Sequence, residues 1–231
     1  MSNNPNLTSV KFPTTNNRII DLDCHSTGLT GTVDISGLTD LDGQVDFSFD
    51  SSLTQVLFPP SSGSITLVNM NSCDITGTMD VSGLTISGGF YTNNNHNLTD
   101  ILFPSSGTFT YFQLIDCSLK TLDLSNFTLS GPNINFNGNP ELSSITWPAS
   151  LSGAYTQFII DDCSLNQTTV DEMFSLLNDY FTINPPTNSG LFSSDGGTNS
   201  PPTDGLNNVD ISSLQYIYSQ AGQSLTIQIN T

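Results

Sequence analysis

The sequence predicts a mainly β protein, in which short strands line both walls of a stack of coils and a small α/β segment follows. Three observations predict this fold class. A seven-residue phrase recurs every 44 to 46 residues, a second phrase recurs between its copies, and a finer apolar pattern repeats every 22 to 24 residues. A unit of that length cannot bury its own apolar face, so successive units must stack.

The two longer phrases both alternate apolar and polar residues. The first phrase ends in an aromatic residue and a proline, and its copies occupy residues 7–13, 53–59, 98–104 and 142–148. The second phrase occupies residues 32–38, 78–84 and 121–127. Alternation of this kind predicts strands, which we place on the second wall of the coil, and proline ends a strand because it lacks the next donor.

The finer pattern carries one polar residue or cysteine at a fixed position of each unit. It reads LxxLxLxxCxL at 65–75, 109–119 and 155–165, and it carries Asp or Asn at the same position of the intervening units. We expect these side chains to face inward and to satisfy backbone groups of the turn. The predicted internal ladder consists of Asp50, Cys73, Asn95, Cys117, Asn139 and Cys163. In the first coil, Cys24 and His25 remain alternatives for this position.

These motifs resemble the leucine-rich-repeat family over roughly residues 5 to 165. The resemblance implies a right-handed leucine-rich-repeat solenoid with about seven coils of 22–24 residues, in a domain of residues 1–165. Residues 166–231 are expected to form a C-terminal capping segment. Parts of it resemble the C-terminal segments of leucine-rich-repeat proteins of bacteriophages and Bacteroidetes, which implies a virion or surface setting. The matching residues are 170–171, 176–177, 195–202 and 225–229.

The capping segment itself has recognisable elements. Apolar spacing predicts an amphipathic helix near 169–181, and Thr168 with Asp171 resembles a capping box at its start. A strand is expected from Gly190, a short helix near 209–221 and a last strand at 225–229.

The charge balance restricts the partners. Three basic residues stand against 21 acidic ones, for a net charge of -18, so we expect binding neither to nucleic acids nor to anionic membranes. No segment reaches the length of a membrane span, and no membrane insertion is expected. The amino terminus lacks the basic and apolar regions of a secretory signal. Either a signal has been removed, or the protein assembles in the cytoplasm of the producing cell, as for a virus particle built inside a bacterium.

Residue types that serve catalysis or metal binding occur without the spacing such sites need. Cysteines on every second unit lie about 10 Å apart, too far for disulfides, so we expect free buried thiols. Neither histidine has a recognisable nucleophile beside it. Three aspartate pairs offer either calcium ligands or solvated surface carboxylates: Asp21/Asp23, Asp40/Asp42 and Asp161/Asp162. We predict neither a cofactor nor an enzymatic activity.

The outward face of the repeating strands is the remaining candidate for a functional surface. Amides and amphipathic rings on a rigid face suit contact with carbohydrate or protein. The candidate binding residues are Asp46, Asn69, Tyr91, Tyr111, Gln113, Asn135 and Ile159.

The leading hypothesis is a non-enzymatic, virion-associated interaction protein of a bacteriophage, which serves host attachment or particle assembly. Its expected partners are other virion proteins or a host-surface glycan or protein, and multiple copies per particle are compatible with it. Two alternatives stay open: a bacterial surface adhesin, which would be extracellular, and a polysaccharide-processing enzyme.

Overall fold

The computed structural model describes residues 1–14 and 18–230. The chain is mainly β and forms a parallel β-solenoid of about six turns. It divides into two compact units. The first comprises Met1–Phe109 and Gln113–Leu119, and the second comprises Thr110–Phe112 and Lys120–Thr231.

The first unit is built from strands on two walls. In chain order they are β1 (Arg18–Asp23), β2 (Thr30–Asp34), β3 (Asp40–Asp46), β4 (Ser52–Leu57), β5 (Ser64–Asn69), β6 (Gly77–Asp80), β7 (Thr85–Tyr91) and β8 (Leu98–Leu102). The odd-numbered strands pair side by side in parallel and form the wide wall. On the second wall β2 pairs with β4 and β6 with β8, also in parallel. The next strand, β9 (Gly107–Gln113), contributes residues to both units.

Stacking of like side chains explains why the repeat folds this way. Val45, Val68 and Phe90 are register partners on β3, β5 and β7, and all three are fully buried. Each coil alone would expose its member of this column to water. Burial of such side chains contributes about 1.5–3 kcal/mol apiece, so the stability of a coil depends on its neighbours.

The second unit contains the remaining elements. They are β10 (Thr121–Asp123), β11 (Phe127–Asn135), β12 (Ser144–Thr146), β13 (Gln157–Ile159), α1 (Gln167–Ile183), β14 (Gly190–Ser194), α2 (Val209–Gln220) and β15 (Leu225–Ile229). The wide wall runs in the order β11-β13-β14-β15, all parallel, and β10 pairs with β12. The parallel ladder therefore continues past residue 165 into the segment predicted to be the cap. The domain boundary at 165–166 stays a prediction.

Helix α1 takes the place of a second-wall strand in its coil. Its buried residues recur at helical spacing and include Val170, Phe174, Leu177 and Phe181. Trp147, just after β12, donates from its indole Nε1 to the carbonyl oxygen of Thr169 at 3.1 Å. This bond ties the first turn of the helix to the coil before it.

Two local expectations were wrong. The capping box at Thr168 does not form: the N-cap is Asn166, whose side chain accepts from the Thr169 N–H at 3.0 Å. Asp171 instead accepts from the backbone N–H and the hydroxyl of Thr203, at 2.7 and 2.5 Å. Asn166 succeeds because its short amide side chain reaches the free N–H groups of the first turn.

The first copy of the first phrase also differs from expectation. Within the described range, residues 7–13 form no strand, although Phe12 is buried and Gly28 donates to the Leu7 carbonyl oxygen at 3.1 Å. The alternation determines which side chains face inward. A strand additionally needs a neighbour paired along its length.

Candidate functional site

A recurrent turn after each wide-wall strand positions the internal ladder. In the first unit, a residue with positive φ precedes each ladder position: Ser26 (53°), Phe49 (64°), Ser72 (55°), Asn94 (60°) and Asp116 (54°). This left-handed conformation turns the chain inward, so that the next side chain enters the core. Asp50, Cys73, Asn95 and Cys117 are all buried there.

Asn95 shows what a ladder side chain does. Its Oδ1 accepts from the Ile75 N–H at 2.9 Å, and its Nδ2 donates to the carbonyl oxygens of Met70 at 2.8 Å and Thr92 at 2.9 Å. Cysteine satisfies fewer groups: Cys73 Sγ donates to Phe47 O at 3.1 Å. The ladder side chains thus pair backbone groups that the turns leave inside the coil.

In the first coil, neither of the two residues suggested by the sequence occupies the ladder position. Its ladder residue is Thr27, which follows Ser26 and is buried. The Thr27 N–H and hydroxyl both donate to Asp50 Oδ1, at 2.7 and 2.8 Å. Cys24 lies three residues earlier as a fully buried core residue, and His25 bonds to the Asp23 carboxylate through Nδ1 at 2.7 Å. Both earlier candidates were therefore wrong.

The second unit repeats the arrangement. Asn139 Nδ2 donates to Phe136 O at 2.8 Å, and Cys163 Sγ donates to the same carbonyl at 3.4 Å. A further ladder residue, Asn199, went unrecognised in the sequence. Its Oδ1 accepts from the Leu165 N–H at 2.9 Å, and its Nδ2 donates to Ile160 O at 2.7 Å, which reproduces the bonds of Asn95.

The buried thiols are unsuited to nucleophilic chemistry. All four cysteines are unpaired and buried. Burial raises the pKa of Cys117 to about 11 and that of Cys73 and Cys163 to about 12. At neutral pH they stay protonated, whereas nucleophiles and metal ligands need the thiolate.

One aspartate of each pair accepts a hydrogen bond from a backbone N–H. Asp21 Oδ1 accepts from the Gln44 N–H at 3.0 Å, and Asp42 Oδ1 accepts from the Ser64 N–H at 3.0 Å. Asp161 Oδ1 accepts from the Ser193 hydroxyl at 2.6 Å and the Asp195 N–H at 2.7 Å. Over residues 1–14 and 18–230, no group of three potential metal ligands converges. None of the helices in these residues combines the length and the hydropathy of a membrane-spanning segment.

Some of the predicted outward binding residues have a local structural role. Asp46 Oδ1 accepts from the Ser48 N–H at 2.8 Å, and its Oδ2 accepts from Asn69 Nδ2 at 3.0 Å. Asn69 Oδ1 in turn accepts from the Asn71 N–H at 3.2 Å. These side chains close the turn after each strand, as Asp and Asn commonly do.

Tyr91 has no equivalent among the turn-closing residues. A Cβ added to Gly89 would lie 2.9 Å from Tyr91 Cε2 and 3.1 Å from Leu67 Cδ1. The tyrosine ring therefore lies over the side-chain-free Gly89, next to Leu67. We call Leu67, Gly89 and Tyr91 the Tyr91 platform. Asn69 is the register partner of Tyr91, and Gln113 Oε1 accepts from Asn93 Nδ2 at 3.0 Å.

The predicted binding residues of the second unit form no comparable platform. Tyr111 is exposed. Asn135 Oδ1 closes its turn by accepting from the Asn137 N–H at 3.0 Å, and Ile159 is half-buried in register with Ser193 of β14. The platform of the first unit is therefore the better candidate.

Phe49 is an exposed aromatic residue that sequence reasoning missed. Its side chain is 63% exposed although its φ is 64°. The same position of the other coils holds Ser, Asn, Asp or Gly, which tolerate the left-handed region better than a bulky residue. Alignment of the turns by their ladder residues would have revealed Phe49 as the exception. An exposed apolar ring at a strained backbone position is a candidate for a functional role.

We expect Phe49→Asn to stabilise the protein by about 1 kcal/mol, because asparagine relieves the strain of the left-handed backbone. Urea unfolding followed by circular dichroism measures the change. Phe58→Asn is the control: Phe58 has no positive φ, so this variant should show no gain in the unfolding midpoint. A lower midpoint for Phe49→Asn than for the wild type would contradict the interpretation.

The fold and the platform together define the chain as a parallel β-solenoid with a tyrosine platform on the wide wall of its first unit. Comparison with models of known protein families, with curated proteins and with solved structures finds no match.

Proposed function

We propose that this chain is a non-enzymatic interaction protein and that the Tyr91 platform binds a neutral carbohydrate. One observation carries the proposal: the Tyr91 ring lies across Gly89 beside Leu67, at the carboxyl end of an interior strand of the parallel sheet. A ring fixed in this way offers an apolar face for the C–H groups of a sugar, while the neighbouring amides of Asn69 and Gln113 are chemically suited to its hydroxyls.

The charge of the chain restricts the ligand class. With a net charge of -18, the protein repels acidic polysaccharides at long range. A neutral hexose or N-acetylhexosamine chain meets no such barrier. The protonated thiols and the aspartates engaged with backbone N–H groups support a binding role over catalysis.

The leucine-rich-repeat identity, the right-handed winding and the bacteriophage setting belong to the same proposal. They rest on the repeated motifs and on the resemblance of residues 166–231 to phage and Bacteroidetes proteins. In that setting the platform serves host attachment. Mass spectrometry of purified particles tests the setting separately: if the chain is missing from particles, the virion role fails while carbohydrate binding stands.

We expect Tyr91→Ala to weaken carbohydrate binding about tenfold or more, because loss of the ring removes about 1.5 kcal/mol or more of stacking and burial. An array of neutral and acidic oligosaccharides identifies the glycan, and calorimetry with that glycan measures the affinity. Tyr216→Ala removes an equally large ring that is 64% exposed on α2, and it should leave the affinity unchanged.

Two results would count against the carbohydrate site. The first is that the wild type binds no neutral glycan on the array. The second is that Tyr91→Ala retains full affinity while its circular dichroism spectrum matches that of the wild type.

A further inference from the structure

A groove follows the flank of α1 in the second unit. It consists of three consecutive depressions of about 310, 370 and 380 Å³. The first two share Leu176 and Asp179, and the last two share Tyr180, Ile183 and Asn184. These shared residues make the depressions one continuous groove, which extends from Glu172 to the segment after α1.

The lining of the groove mixes apolar and polar side chains, and the apolar share is largest in the middle depression. Trp147, Leu151 and Tyr155 contribute buried side chains on the side of the coil. The ring of Tyr180 on α1 packs edge-on against Tyr155, with 5.2 Å between centroids and an interplanar angle of 87°. Ile183 is 80% exposed at the end of the helix. An exposed aliphatic side chain at the mouth of a groove, with polar neighbours, is available to contact a ligand.

The charge along this groove has one sign. Glu172 and Asp179 are exposed and lie on the α1 side. Among the described residues that line the three depressions, none is Lys, Arg or His. The two carboxylates therefore attract a cationic occupant, and the apolar lining favours one that also carries aliphatic side chains.

The spacing of the two carboxylates matches the repeat of a polyproline II occupant to within about 1 Å. Glu172 and Asp179 are seven residues apart on a helix, which places them about 10.5 Å apart along its axis. In a polyproline II peptide, side chains three residues apart lie on the same edge and are separated by about 9.3 Å. Six such residues span about 19 Å, and α1 from Glu172 to Asn184 extends about 18 Å.

From this geometry we propose that the α1 groove binds a proline-rich cationic peptide in the polyproline II conformation. Its basic residues, three apart, pair with Glu172 and Asp179. The intervening proline and aliphatic side chains pack against Leu176, Tyr180 and Ile183. Aromatic-lined grooves commonly recognise peptides in this way, because the peptide loses little entropy on binding.

The test uses the full chain and a fluorescein-labelled peptide of sequence Lys-Pro-Leu-Lys-Pro-Leu, titrated by fluorescence anisotropy at low ionic strength. We expect saturable binding that weakens as salt is added. The Glu172→Gln/Asp179→Asn double variant should bind about tenfold more weakly, and Ile183→Ser should also lose affinity. All three positions are exposed, so the variants should fold.

Matched controls separate the groove from general electrostatic attraction. Asp195→Asn/Asp204→Asn removes the same charge from exposed positions outside the groove, and it should bind as the wild type does. A peptide with adjacent lysines, Lys-Lys-Pro-Leu-Pro-Leu, should bind more weakly than the spaced one. Absence of saturable binding, equal losses in the two double variants, or equal affinity for the two peptides would each overturn the proposal. Tyr91→Ala should leave this binding unchanged.

Discussion

Asn95→Asp is expected to lower the free energy of unfolding by about 3 kcal/mol or more at neutral pH. Asn95 is fully buried, and its Nδ2 donates to both Met70 O and Thr92 O. Aspartate keeps the acceptor for the Ile75 N–H but replaces the donor with a second oxygen. Met70 O then loses this donor, while Thr92 O keeps only the Cys117 thiol at 3.2 Å. A buried group left without its partner costs about 1–3 kcal/mol, and both carbonyl oxygens then face a carboxylate.

The loss at Asn95→Asp should shrink as the pH falls. A carboxyl group at this position favours its protonated form in the folded state, because a proton lets it donate to one of the two carbonyls. The folded variant then binds a proton more tightly than the unfolded chain does. Its stability therefore rises as the pH falls from neutrality towards about 4, the ordinary pKa of aspartate.

Urea unfolding at neutral and mildly acidic pH measures both effects. Asn126→Asp is the control, because it adds the same charge at an exposed position and should change stability by no more than about 0.5 kcal/mol. If Asn95→Asp and Asn126→Asp unfold at the same urea concentration, the ladder does not stabilise the coil in the way proposed.

The sequence was most informative where one physical requirement repeats. The inward apolar residues recur because every coil must bury the same face, and so the strands of both walls and the parallel solenoid were predictable. The amphipathic spacing of α1 and the final strand β15 were predictable for the same reason. The observed bounds Gln167–Ile183 and Leu225–Ile229 lie within two residues of those expected.

The ladder residues were harder to predict where the spacing between successive coils departs from 22 to 24 residues. Asn199 lies 36 residues after Cys163 rather than 22 to 24, because α1 and its connections replace a short second-wall strand. Thr27 was missed because neither Asp, Asn nor Cys occupies that position, although its hydroxyl meets the same need. The structure identifies Thr27 through the positive φ of the preceding Ser26, which the sequence does not reveal.

The sequence predicts which face of the strands points outward. It does not predict which residues on that face are available to bind a ligand. Asp and Asn at the strand ends are equally suited to closing a turn and to contacting a ligand. Only the folded structure shows that Asp46 and Asn69 accept hydrogen bonds from backbone N–H groups of their own turns. The position of the Tyr91 ring depends on Gly89 lacking a side chain, which no single-strand pattern reveals.

Asp50→Asn is expected to raise the free energy of unfolding by about 1–3 kcal/mol at neutral pH, the contribution of satisfying a buried polar group. Asp50 is 1% exposed. Its Oδ1 is bonded to Thr27, whereas its Oδ2 is buried without a partner among the described residues. The Asx ladder residues Asn95 and Asn139 each donate from this side to the carbonyl three residues earlier. Asparagine at position 50 can donate likewise to Phe47 O.

The sign of the pH dependence follows from the environment of Asp50. Burial raises the pKa of this carboxyl, and the nearby Asp46 raises it further, while the bonds from Thr27 and the nearby His25 lower it. Because the folded state holds the proton more tightly, the wild type loses stability as the pH rises from about 4, the ordinary pKa of aspartate, through the raised pKa. The advantage of Asp50→Asn should therefore be largest at neutral pH and small below about pH 4.

Urea unfolding midpoints at pH values on both sides of this range measure the effect, with Asp195→Asn as the control that removes an exposed carboxylate. The control also relieves general repulsion among the acidic residues, so the comparison isolates the buried position. Asp50→Asn should exceed the control by more than about 1 kcal/mol at neutral pH. If the two variants gain equally, or if Asp50→Asn is the less stable at neutral pH, the carboxylate has a partner inside the coil that a neutral amide cannot replace.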